Sequence, residues 1–105
     1  MTEWQRIKNL EVPKGKVDVI LDTDTFNEVD DQYAMSYLLR SNDKLNTVAL
    51  YAAPFYGNGK STDPKDGMEK SYDEIHKMLK LLKKEVPVFK GSDTYLPDEK
   101  TPVIS

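Results

Sequence analysis

The stretch Val17-Asp18-Val19-Ile20-Leu21-Asp22-Thr23-Asp24-Thr25-Phe26-Asn27-Glu28-Val29-Asp30-Asp31 decides how this chain reads. Its first five residues are β-branched and mostly apolar, which predicts a short strand buried on both faces. That strand runs directly into Asp22-Thr23-Asp24. A loop through Phe26, Asn27 and Glu28 follows, and residues 30–40 read as a helix with Ala34, Tyr37, Leu38 and Leu39 on its apolar face. Asp30 and Asp31 then fall at the helix N-terminus, where capping and the helix dipole favour acids. From Asp22 to Asp31 there are five acids, counting Glu28, and no base. Such a cluster repels itself unless water or a cation neutralises it.

Outward from this stretch the pattern repeats. Residues 45–53 read as a second strand, built on Val48, Ala49, Leu50 and Tyr51. Residues 54–66 form a long polar connection with Gly57, Asn58, Gly59 and Pro64; such loops often carry function. Residues 68–84 give the clearest helix, with Met68, Tyr72, Ile75, Met78, Leu79 and Leu82 at helical spacing. Residues 86–89 are a third short strand, closed by Gly91. The order β-α-β-α-β implies parallel strands in an α/β fold, a Rossmann-like open sheet. Residues 1–16 read as a polar lead-in through Pro13, and residues 17–105 as the α/β domain. Ser105 is a residue type that caps helices, and two helices would leave one sheet face poorly covered. The chain is therefore expected to be a fragment of a larger domain, or one piece of a processed or split protein.

Bulk composition narrows the function classes. The 105 residues carry 15 Lys and Arg against 18 Asp and Glu, a net charge of −3, so nothing points to nucleic acid. No apolar run approaches the roughly 20 residues of a membrane helix. There are no cysteines, which excludes disulfides and thiolate metal sites and fits a cytoplasmic location.

In an open parallel sheet, ligands bind at the carboxyl ends of the strands. Asp22 and Asp24 stand at such an end, and Asp30 and Asp31 can fold back onto the same spot. Oxygen donors in this number suit a hard cation, Ca²⁺ or Mg²⁺. An EF-hand is excluded by register: counted from Asp22, the required Gly falls on Asn27 and the required Glu on Tyr33. His76, the sole histidine, sits mid-helix and reads as a surface or packing residue. Tyr51, Phe55 and Tyr56 could stack on a base or simply pack.

The strand ending in Asp22-Thr23-Asp24, followed by Asp30-Asp31, resembles the inosine–uridine-preferring nucleoside hydrolase family. So do Gly57-Asn58 after the second strand and Val86-Pro87-Val88-Phe89-Lys90-Gly91 after the second helix. The resemblance covers about residues 17 to 96. The loop from Thr25 to Val29 departs from it, being longer than the family's and lacking its Pro-Gly.

The resemblance implies a larger nucleoside hydrolase fold, homo-oligomers, and cleavage of the N-glycosidic bond of ribonucleosides by a Ca²⁺-activated water. By the same resemblance Asp24 is a Ca²⁺ ligand and the general base, and Asp31 a second, bidentate ligand. Asp30 and Asn58 bind ribose hydroxyls, and Asp22 supports the site from behind the metal ligands. Further ligands and leaving-group residues would come from segments beyond residue 105. Two other readings fit part of the pattern. A haloacid dehalogenase-type Mg²⁺ phosphatase also uses a strand running into D-x-D, though not Asp30-Asp31 at a helix start. A non-catalytic module binding metal or nucleoside fits the short chain.

Overall fold

The computed structural model describes residues 1–12, 14–98, 100 and 102. Ser105, singled out above as a helix cap, lies outside them. The lead-in contains a short helix, α1 (Glu3–Lys8), started by Thr2, whose hydroxyl accepts the Gln5 N–H. No α1 residue is buried.

The α/β unit follows as β1 (Val17–Thr23), α2 (Val29–Arg40), β2 (Leu45–Ala52), α3 (Pro64–Leu82) and β3 (Val88–Lys90). The three strands form one parallel sheet in the order β1-β2-β3. This is the Rossmann-like open sheet expected from the element order. β1 continues two residues beyond its apolar run, so Asp22 and Thr23 pair with Tyr51 and Ala52.

Both crossovers move the same way along the sheet, and right-handed crossovers then place both helices on one face. That face holds the core. Met35 and Leu39 of α2 meet Leu50 and Ala52 of β2 and Met68, Ile75, Met78 and Leu79 of α3. The helical face expected for α3 is the one that packs.

Two expectations are corrected. The buried residues of α2 are Met35, Leu38 and Leu39, whereas Ala34 and Tyr37 are exposed. The i, i+3, i+4 set led by Met35 faces the sheet, and Tyr33 and Tyr37 lie on the opposite side. The first strand is also not buried on both faces. Its residues alternate between partly covered and exposed, and Ile20 is 62% exposed. The helices cover only one side of the sheet; the other displays Ile20, Val48 and Phe89.

Candidate functional site: a carboxylate pair at the strand rim

β1 ends where the acids begin, and the backbone there is firmly held. The Ala53 N–H donates to the Thr23 carbonyl (2.8 Å), extending the β1–β2 ladder to the rim. Beyond it, Thr25 is fully buried, and the Phe26 N–H donates to the hydroxyl of Ser71, also fully buried, on α3 (3.2 Å). The rim loop is thereby tied to the long helix.

Within this frame Asp24 and Asp31 come together. Asp24 follows β1, and Asp31 stands in the first turn of α2. The buried Thr25 hydroxyl donates to the Thr23 hydroxyl (3.2 Å), which donates to Asp31 Oδ2 (2.6 Å). This relay fixes one oxygen of Asp31 from below. Asp24 Oδ2 accepts the side-chain amide of Asn27 (3.0 Å). Partial burial pushes the Asp24 carboxyl above its ordinary range, and the neighbouring Asp31 raises it further against the opposing pull of Asn27. A pair of this kind holds a proton or a cation more readily than two bare charges.

The other acids stand apart. Asp22 is exposed and lines a hollow of about 390 Å³ with Tyr51, Gly91 and Tyr95. No hydrogen bond among the described residues joins it to Asp24 or Asp31. Asp30 is exposed, and its carboxylate accepts the N–H of Asp31 (3.1 Å), a local contact in the opening turn. The N-cap position itself is Glu28, whose side chain makes no capping bond. Among the described residues, no group of three or more acidic or histidine side chains is placed to hold one metal ion. The pair Asp24–Asp31 therefore offers the oxygen chemistry a hard cation takes, but only part of the six to eight ligands of Ca²⁺.

Asn58 reaches the same rim from the connection after β2. Asn58 and Gly59 both have positive φ (56° and 68°), and the Lys60 N–H donates to the Gly57 carbonyl (3.2 Å). These are the marks of an Asn-Gly turn with two left-handed residues. The Asn58 amide donates to the Asn27 carbonyl oxygen Oδ1 (2.7 Å). The aromatic candidates divide: Phe55 is buried beside Phe26, Tyr51 stacks on Phe89 at 5.2 Å, and Tyr56 is exposed. His76 sits on α3 edge-on to Tyr72 (4.6 Å) and lines a separate hollow with Leu79, Glu85 and Pro87.

Sequence reading missed Thr23, Thr25 and Asn27 as organisers of the site. Only the Asn58-Gly59 turn left a local signal; the others act through contacts that no spacing rule announces. No protein family, curated protein or solved structure was found to match this chain.

Proposed function

We propose that this chain carries the acidic half of a nucleoside hydrolase site, one that cleaves the N-glycosidic bond of ribonucleosides. The observation that carries the proposal is the Asp24–Asp31 pair at the carboxyl rim of the parallel sheet, each acid held by one oxygen. Thr23 donates to Asp31 Oδ2 and Asn27 donates to Asp24 Oδ2, while the two carboxyls neighbour each other. Ca²⁺, when bound there, would supply positive charge that acidifies a water and draws in sugar hydroxyls.

Asp24 would take the proton of the attacking water as general base. The surrounding negative charge favours a sugar that becomes oxocarbenium-like as the base departs. Asp30 and Asn58, both exposed at the rim, accept and orient ribose hydroxyls. Asp22, exposed in the neighbouring hollow, adds only its charge to the negative field.

Calorimetric titration of Ca²⁺ into the wild-type chain and an Asp24→Ala/Asp31→Ala variant tests the metal half. The expected result is binding in the micromolar to millimolar span of oxygen-donor Ca²⁺ sites, lost in the double variant. No heat in the wild type overturns it. Release of ribose from inosine or uridine tests the chemistry; turnover of p-nitrophenyl phosphate in its place would support the phosphatase reading.

A further inference from the structure

We infer that Asn27 is a positioning residue that latches the turn carrying Asn58 to the Asp24 carboxylate, so that the cation-binding and sugar-binding parts of the rim are held as one unit. The inference rests on the function proposed above. Asn27 belongs to the loop between Thr25 and Val29 that joins β1 to α2.

Asn27 uses its polar groups on both sides of the rim. Its backbone N–H donates to the Asp24 carbonyl (2.8 Å), and its side-chain amide donates to Asp24 Oδ2 (3.0 Å). In the other direction its Oδ1 accepts the Asn58 amide (2.7 Å), and its backbone carbonyl accepts the Lys60 ammonium. Asn58 lies 31 residues away in sequence and Lys60 lies 33. Among the described residues, both hydrogen bonds joining residues 57–61 to residues 24–28 run to Asn27.

The pattern has a chemical consequence. Asn27 engages one oxygen of Asp24 and one N–H of Asn58. One amide thus orients the Asp24 carboxylate, beside which Asp31 stands, and also the Asn58 side chain, whose carbonyl remains an acceptor by its chemistry. The positive-φ turn presents Asn58 with little freedom of its own, so the side-chain contact with Asn27 sets its distance from Asp24. Outer partners of this kind orient the ligands of a metal site.

The test uses the whole chain, labelled with ¹⁵N. Without Ca²⁺, Asn27→Ala is expected to lower the backbone order parameters of residues 57–61 and shift the Asn58 side-chain amide. Asn58→Gly, which deletes the same bond and keeps the positive φ of the turn, should loosen the same residues. Unchanged order in both variants overturns the latch. In Ca²⁺ titrations, Asn27→Ala should weaken binding about tenfold or more. Lys60→Ala, which loosens the turn without touching Asp24, should leave Ca²⁺ affinity within about twofold, well below the span of an outer-partner loss. An equal loss in Lys60→Ala means general loosening and overturns the positioning role. Absence of Ca²⁺ binding in the wild type removes the functional reading instead, and the order parameters alone then decide the latch.

Discussion

Gly67 shows how a single atom can be forbidden. A Cβ placed there would stand 2.0 Å from the Phe55 carbonyl oxygen and 2.8 Å from its ring, so α3 can approach the β2 rim only without a side chain at this point. Because the obstacle includes backbone, relaxation is limited. Gly67→Ala is expected to cost more than about 2 kcal/mol despite the better helix propensity of alanine. Urea denaturation checks it; an unchanged midpoint would refute the close contact. Asp24 gives a second residue-scale expectation. Its carboxyl is raised in the folded chain, mainly by burial and then by Asp31. The native state then holds this proton more tightly than the unfolded state. In the absence of a cation, this group's contribution falls as pH rises from the ordinary Asp value of 3.8 through the raised native value. Asp24→Asn keeps an acceptor for Asn27 and removes the repulsion from Asp31. It should raise the ion-free Tm at pH 7 by roughly 1–3 °C, a modest step for a small domain. The gain should vanish near pH 3, where the wild-type carboxyl is protonated as well; melting curves at the two pH values decide this.

At the scale of elements, α3 has distinct ends. Asp63 accepts the Asp66 N–H (2.7 Å), and Asp66 in return accepts the Thr62 N–H (2.9 Å), a reciprocal cap followed by Pro64 in the first turn. Asp63→Ala should cost about 1 kcal/mol of stability by denaturant midpoint. The other end closes on Lys83, which takes the left-handed conformation (φ 56°) that glycine adopts more easily. Lys83→Gly should therefore be neutral or stabilising by up to about 1 kcal/mol, and a clear loss would contradict this C-cap. The α3 face was legible because Met68, Tyr72, Ile75 and Met78 repeat at helical spacing and a long helix averages out exceptions. The α2 face was not, because Tyr33, Ala34, Met35, Tyr37 and Leu38 crowd two sides of a 12-residue helix. Which side packs depends on where the sheet lies. The site shows the same division. The position of Asp24 and Asp31 at a strand end and helix start could be read from local pattern. The contact of Asp31 with Thr23, and of Asn27 with Asn58, required the β1–α2 turn and the β1–β2 pairing to be in place.

For the whole molecule, the unequal sheet faces matter most. Parallel sheets are ordinarily covered on both sides. Here Ile20, Val48 and Phe89 are 62%, 45% and 47% exposed on the face opposite the helices. This face should bind the dye 8-anilinonaphthalene-1-sulfonate with enhanced fluorescence under native conditions. Ile20→Lys combined with Phe89→Lys should remove most of the enhancement, because it places charge on the apolar strip without touching the helix-side core. Full fluorescence in that variant would assign the dye to another surface.

The sequence by itself determined the element order, the parallel sheet and the rim position of the acids. Strand and helix periodicity are properties of neighbouring residues, and βαβ connections leave few topologies open. Only the tertiary structure decided the strand order β1-β2-β3, that Met35 rather than Ala34 packs inward, and which acids meet. Asp22 and Asp24 are two residues apart, yet one lines the hollow beside Tyr51 and the other meets Asp31. The strand ends between them, at Thr23, and the turn that follows carries Asp24 toward the start of α2. Strand alternation ceases to apply once the chain leaves the sheet, and from there hydrogen bonds to Thr23 and Asn27 place the carboxylates.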